Sequence, residues 1–137
     1  EEHLIGFVHN VSIADTWEEA YEATAEPCQW VSNQYALRPD LAGNRPPESA
    51  RLSMETIRHG AETGERVGFC VPNPGTVEQI IEKFLPLVRG EAQGLLTHIG
   101  LEVRPPGTPT EAVHRTMRLF AEHVLPVLRR EAAELGL

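Results

Sequence analysis

The alternation of strand-like and helix-like segments is the feature that most limits how this chain can fold. Residues Leu4 to Ile13 are apolar and β-branched enough for a buried strand, and Gly94 to Ile99 give a second strand. Between them, the apolar residues of Val77 to Val88 recur at steps of three and four, which predicts a helix. A strand, a crossover helix and a strand predict parallel pairing. We therefore predict an α/β fold in which Leu4–Ile13 and Leu95–Ile99 are parallel neighbours, with the helix packed on their outer face.

Local sequence also indicates where helices start and bend. Two segments have the spacing of a capping box, in which a Thr side chain and a Glu side chain satisfy the first free amides of a helix: Thr16-Trp17-Glu18-Glu19 and Thr108-Pro109-Thr110-Glu111. We expect Asn73 to cap the helix over 77–88. Because proline lacks an amide hydrogen, we expect Pro27 to kink or divide the first helix and Pro126 to bend the last one.

The chain is predicted to form one domain with a long insertion. Residues 1–36 give a strand plus a helix, residues 37–72 a lid-like insertion, and residues 73–137 a helix, a strand and a helix. The insertion is rich in proline, glycine and charge, so we expect it to be the least ordered part. Inside it we expect a short helix over 47–61 and an extended stretch over 66–71. Two strands cannot cover their own faces, so we expect the chain to start within a larger domain.

Composition narrows the classes of function. The chain has 137 residues, 41% of them hydrophobic, which suits a globular domain with a core. The net charge of −8, without a basic run, argues against nucleic acid or an anionic membrane as the main partner. Cys28 and Cys70 are too few and too scattered for a disulfide framework or a metal site, which favours a reducing cytoplasm.

The common catalytic fingerprints are missing from the sequence. It contains no Walker or Rossmann glycine-rich loop, no HExxH and no GxSxG. Its acidic pairs lie at ordinary helix-surface spacings. Hydrolase, kinase and metalloenzyme functions therefore have no support in the sequence, and we predict no metal site.

Three stretches, taken in order, resemble one known family. The last helix reads M-x-L-F-x-x-x-V-x-P-x-L, in positions filled by Met117, Leu119, Phe120, Val124, Pro126 and Leu128. Asn73-Pro74-Gly75-Thr76-Val77 is similar to an S/G-x-P-x-x-V helix start, and Ile13-Ala14-Asp15-Thr16-Trp17-Glu18-Glu19-Ala20 to a V-A-x-T-x-E-E-A strand-to-helix step. Together these motifs resemble the C-terminal part of the bacterial luciferase-like, flavin-dependent monooxygenases.

The resemblance implies a fold and a reaction. The fold of that family is a (β/α)8 TIM barrel, of which this chain would be the C-terminal portion, with parallel strands, crossover helices and a lid-like insertion. The implied activity is oxygenation of a small organic substrate with O₂ and reduced FMN from a partner flavin reductase, in a homo- or hetero-dimer. Two alternatives stay open: a non-catalytic interaction module without a complete flavin site, or an F420-dependent oxidoreductase of the same superfamily.

Candidate cofactor-binding residues come from the first helix and the insertion. Trp30 lies where similar proteins place an aromatic ring against the flavin, in a W-x-x-x-x-Y context that ends at Tyr35. The structural alternative is a core Trp on a helix face. In the insertion, the cationic residues Arg58, His59 and Arg66 are expected to meet the flavin phosphate or an anionic intermediate if the lid closes; otherwise they are solvated surface charges.

Two histidines on the predicted strands are the catalytic candidates. His98, near the end of the second strand, is expected to face the C-terminal mouth, where barrel enzymes keep their chemistry. His9 lies inside the first strand, where it either faces the barrel interior or is a hydrogen-bonded strand residue. For both, a satisfied core histidine is the alternative.

Overall fold

The protein has an α/β fold, seen in a computed structural model that describes residues 6–91 and 98–137, with Phe7 described by its backbone alone. Three strands are present in the described residues: β1 (Gly6–Ile13), β2 (Pro72–Gly75) and β3 (His98–Glu102). The α-helices are α1 (Trp17–Glu22), α2 (Ala25–Ala36), α3 (Met54–Thr63), α4 (Val77–Val88), α5 (Thr110–Leu119) and α6 (Leu125–Glu134). A 3₁₀ turn spans Glu48–Ala50, and a π-helical segment, Phe120–Val124, joins α5 to α6.

The strands form one parallel sheet in the order β2–β1–β3. Gly6 pairs with His98 and Asn10 with Glu102, which confirms that the first strand and the later strand are parallel neighbours. The later strand continues to Glu102, and residues 94–97 of the predicted segment lie outside the described residues. β2 was not predicted as a strand; it pairs with the carboxyl half of β1, from Asn10 to Ile13.

The main core lies between the sheet and α4 and α6. Val11 and Ile13 of β1 point toward Ile80 and Phe84 of α4, and Val124 and Leu128 pack beside them. All of these side chains are at most 7% exposed. Burying an Ile or Phe side chain contributes about 1.5–3 kcal/mol, so this cluster anchors one face of the sheet.

The start of α4 differs from the sequence prediction. Thr76 is its N-cap and forms a complete capping box with Gln79. The prediction that Asn73 caps this helix is wrong, because Asn73 belongs to β2, where it pairs in register with Val11. A strand residue cannot also close the first turn of a helix that begins four positions later.

At the first helix, the predicted division by Pro27 is confirmed, and the predicted capping box forms only on its Thr16 side, since the Glu19 carboxylate pairs with Arg115. The Thr16 hydroxyl accepts a hydrogen bond from the Glu19 amide at the start of α1. The helical region is divided into α1 and α2, with Pro27 in the first turn of α2, where its missing amide hydrogen costs no helical hydrogen bond.

The second predicted capping box does not form. Pro109 is the N-cap position of α5, and the Thr108 hydroxyl donates to the Pro105 carbonyl. Near Pro126, where we expected a bend, the helix changes type. The π-helical segment directly precedes α6, and Pro126 lies in the first turn of α6. Because Pro126 donates no amide hydrogen, the α-helical bond at that point cannot form, and a wider turn accommodates the gap.

The segment 37–72 is packed in its second half. It contains α3, whose Ile57 and Ala61 are buried against Tyr21 and Ala25. No residue from 38 to 56 is buried, so the first half of the predicted insertion lies at the surface. In the described ranges, no helix is both long and apolar enough to cross a membrane.

Candidate cofactor-binding groove

The face of the sheet opposite the main core is partly open. Alternation along β1 points Val11 and Ile13 into the core, so Val8, Asn10 and Ser12 lie on the other face. Val8 is 60% exposed there. Asn10 Oδ1 and Ser12 Oγ are buried and have no hydrogen-bond partner among the described residues. Glu102 of β3, the register partner of Asn10, adds a carboxylate to this face.

A first depression, which we call the sheet cleft, has a volume of about 290 Å³. The end of α3 and the chain that leads to β2 form its wall, and β1 and β2 form its floor. Gly60 permits this close approach, because a Cβ there would lie 2.5 Å from Val67 Cγ2. The lining residues are Val8, His9, Asn10, Gly60, Gly64, Glu65, Arg66, Gly68, Phe69, Val71 and Asn73.

A second depression, the aromatic groove, has a volume of about 450 Å³ and meets the sheet cleft at Phe69. The rings of Tyr35 and Phe69 stack in its wall, with centroids 3.8 Å apart and planes 14° apart. Both rings stay about half exposed. The groove is lined by Trp30, Val31, Gln34, Tyr35, Arg38, Phe69, Glu102 and Pro106.

Trp30 separates the aromatic groove from a further depression of about 470 Å³ beside Pro27 and Gly107. Its side chain is 54% exposed, so Trp30 belongs to neither buried cluster of the described residues. A half-exposed Trp ring in a concave surface presents apolar area to any flat ligand that enters.

One face of helix α2 lines the aromatic groove, and the other face contacts the chain before α3. Residues four apart lie one above the other on a helix, so Trp30 with Gln34 and Val31 with Tyr35 form two adjacent rows that line the groove. The other face is bonded to the chain around α3. The Leu52 amide donates to Asn33 Oδ1 at 2.7 Å, and Asn33 Nδ2 and Gln29 Nε2 donate back to the Leu52 carbonyl at 3.2 and 3.1 Å. These bonds fix the rotation of α2 and thereby direct the aromatic residues into the groove.

Charged groups lie at both ends of this surface. Arg38 and Glu102 line the aromatic groove, and Arg66 and Glu65 line the sheet cleft. The two guanidinium groups provide the planar, multiply donating cations that bind phosphate and carboxylate groups.

Three of the six predicted site residues lie along this continuous surface. Trp30 lines the aromatic groove, and Arg66 lines the sheet cleft. His9 also borders the cleft, but its ring lies on the core face of β1, where it packs on the Phe84 ring with centroids 5.3 Å apart. Burial lowers the pKa of His9, which favours the neutral imidazole.

Arg58 and His59 lie on α3, outside the residues that line the groove and the cleft. The Arg58 guanidinium lies 5.2 Å from the Trp17 ring centroid and 5.3 Å from that of Tyr21, and its Nε donates to Glu62 at 2.8 Å. His59 Nε2 lies 3.1 Å from a carboxylate oxygen of Glu65, so it reaches the cleft only through that residue.

His98 is not at the C-terminal mouth of the sheet. It pairs with Gly6, at the amino end of β1, and lines a separate apolar groove with Phe84 and Leu128. The expectation placed it near the end of its strand, whereas the described strand runs from His98 to Glu102. Parallel strands end at the same edge of a sheet, so His98 lies at the edge opposite the one where barrel enzymes keep their chemistry.

Sequence reasoning missed Arg38, Phe69 and Glu102, and noted Tyr35 only as part of the Trp30 context. The helical spacing from Trp30 pointed to Tyr35. No local pattern marked Phe69 or Glu102, because they reach the groove from chain segments far from α2.

Among the described residues, no group of three or more His, Cys, Asp or Glu side chains could hold a metal ion. No protein-family model matches the chain, and no curated protein sequence matches it significantly.

Proposed function

We propose that the aromatic groove and the sheet cleft bind a flavin, and that the chain acts as the C-terminal part of a luciferase-like FMN-dependent monooxygenase. The observation that carries this proposal is the convergence of three half-exposed aromatic rings, Trp30, Tyr35 and Phe69, on one groove. Large apolar rings at a concave surface are typical of sites for small organic ligands. The motif resemblance at both ends of the chain points to the same cofactor.

The lining residues fit the chemistry of FMN. The isoalloxazine ring is flat and largely apolar, so it suits contact with Trp30 and with the Tyr35–Phe69 stack. The ribityl chain and phosphate are polar and anionic. Arg66, in the sheet cleft, is the cation that would hold the phosphate, and Arg38 would lie beside the ring in the aromatic groove.

Bound reduced FMN would supply the reaction with O₂, and the chain would supply binding and shielding. Trp30 and Phe69 exclude water from the ring. Arg66 neutralises the phosphate and orients the cofactor. His9 borders the cleft, but its ring lies against Phe84 on the opposite face of β1, so the proposal assigns it no proton transfer. A separate flavin reductase would provide the reduced cofactor in the cytoplasm, and a small organic substrate would be oxygenated by a homo- or hetero-dimer.

The sheet supports the barrel part of the proposal through β1, α4 and β3. These elements form a parallel strand–helix–strand unit, of the kind that two successive barrel units require. β2 lies on the other edge of β1 and pairs only with Asn10 to Ile13. In a closed (β/α)8 barrel, the strand before β1 would pair along this same edge of β1. The proposal therefore requires β2 to share the edge with that strand or to move away from it.

Titration of the purified chain with FMN tests the proposal. We expect flavin fluorescence to fall as FMN enters the groove, because aromatic side chains quench it on contact. Riboflavin, which lacks the phosphate, should bind more weakly if Arg66 holds that group. Unchanged FMN fluorescence up to millimolar protein would contradict the proposal. Tighter binding of F420 than of FMN would instead support the deazaflavin-dependent oxidoreductase.

A further inference from the structure

The two cysteines, 42 positions apart in sequence, are in contact in the fold. Cys28 lies on α2 and Cys70 lies two residues before β2, and their sulfur atoms are 3.1 Å apart. Both are free thiols, and both side chains are buried, at 0% and 1% exposure. A disulfide bond is about 2.05 Å long, so the sulfur atoms need to approach by only about 1 Å to form one.

The surrounding hydrogen bonds already hold the two backbones in place. The Ser32 hydroxyl, one helical turn after Cys28, accepts from the Cys70 amide and donates to the Cys70 carbonyl, both at 2.9 Å. Gly68 allows this approach, because a Cβ there would lie 2.9 Å from the Ser32 hydroxyl oxygen. The backbone geometry around the thiols therefore does not depend on a covalent bond between them.

We propose that Cys28 and Cys70 form a redox-modification site that closes to an intramolecular disulfide, with a low-molecular-weight disulfide such as oxidised glutathione as the oxidant. This inference is independent of the flavin proposal. The bond would link α2, which carries Trp30 and Tyr35, to the segment that carries Arg66 and Phe69, and would thus tie together the two walls of the binding surface.

The reaction is a balanced thiol–disulfide exchange. Cys70, on the segment that leads to β2, loses its proton when that segment opens locally, and its thiolate attacks the oxidant. One oxidant thiolate leaves and a mixed disulfide forms. The Cys28 thiolate then attacks the Cys70 sulfur and releases the second oxidant thiolate. The protein loses two electrons and two protons, and the oxidant is reduced to two thiols.

Burial sets the rate of this exchange. The hydrogen-bonded contact with Cys70 and burial together raise the pKa of the Cys28 thiol, which keeps it protonated and unreactive in the closed fold. Oxidation should therefore be slow and limited by local opening, whereas the disulfide, once formed, fits the closed fold.

The test is equilibration of the purified chain in glutathione redox buffers, followed by acid quenching, alkylation and mass spectrometry. We expect both thiols to be lost together, with a mass decrease of about 2 Da and one cross-linked peptide pair containing Cys28 and Cys70. The oxidised chain should melt on the order of 10 °C higher than the reduced chain, because a cross-link over this span restricts the unfolded state. Added reductant should reverse both changes.

A matched measurement on the chain unfolded in urea provides the control. If the fold keeps the two sulfur atoms in contact, the equilibrium constant for disulfide formation should be about a hundredfold larger in the folded chain than in the chain unfolded in urea. Equal constants, stable glutathione adducts on single cysteines, or disulfide-linked dimers in place of the internal bond would each overturn the proposal. Cys28→Ala and Cys70→Ala should each leave one thiol that forms no internal bond.

Discussion

The Tyr35 and Phe69 rings stack face to face with their centroids 3.8 Å apart, although 34 positions separate them in the sequence. Tyr35 comes from the last turn of α2, and Phe69 from the segment before β2. The contact joins two parts of the fold and leaves both rings about half exposed at the aromatic groove. The same two rings therefore stabilise the groove wall and form part of the apolar surface that we propose contacts the flavin.

A double-mutant cycle measures this link. Tyr35→Ala, Phe69→Ala and the double variant should show a coupling of about 0.5–1.5 kcal/mol in the free energy of unfolding, because each single change removes the same stack. Urea denaturation of the four proteins gives the value. Additive single effects, with coupling under about 0.3 kcal/mol, would show that the two rings are independent.

Local rules predicted the parts of the fold that depend on neighbouring residues. The Thr16 cap, the amphipathic helix α4 and the division of the first helix by Pro27 each follow from residues within a few positions. The pairing of β1 with β3 also followed, because a strand, a helix and a strand leave few alternatives.

The errors arose where a distant segment decides between local options. Asn73 has a capping side chain, but pairing with Val11 makes it a strand residue. The exception is Thr108, which has the capping spacing but donates its hydroxyl to the carbonyl of Pro105, only three residues earlier. The contact of Cys28 with Cys70 has no local signal at all, because it depends on how α2 packs against the chain before β2.

Thr116 offers a second test of the fold. Its buried side-chain oxygen accepts a hydrogen bond from the Ile13 amide at 3.0 Å, which joins α5 to the end of β1. Thr116→Val keeps the shape but leaves that amide unsatisfied, so we expect a loss of about 1–3 kcal/mol in the free energy of unfolding. Thr110→Val, at an exposed position of the same helix, should change it by less than about 0.5 kcal/mol. Equal effects in the two variants would mean that the buried hydrogen bond contributes nothing.

The stability of the protein should depend on pH through His9. Burial lowers the pKa of His9 from its ordinary value of 6.5, so the unfolded chain binds this proton more tightly than the folded chain. The contribution of neutral His9 to the free energy of unfolding is fully present above pH 6.5. It is lost as the pH falls from 6.5 through the pKa of His9 in the folded protein. Urea denaturation between pH 8 and 5 should show a steeper loss for the wild type than for His9→Gln. Parallel curves for the two proteins would contradict the assignment.

The most direct test of the flavin proposal compares FMN binding by Trp30→Ala and Trp17→Ala with that of the wild type. Trp17 is the matched control, because it stacks on Tyr21 with centroids 5.0 Å apart and does not line the groove. Fluorescence titration should show that Trp30→Ala weakens FMN binding by about 1–3 kcal/mol, roughly 5- to 150-fold in Kd, beyond any loss of stability. Trp17→Ala should alter stability and leave the Kd of the folded protein unchanged. Equal FMN affinity in all three proteins would contradict the assignment of the aromatic groove as a flavin site.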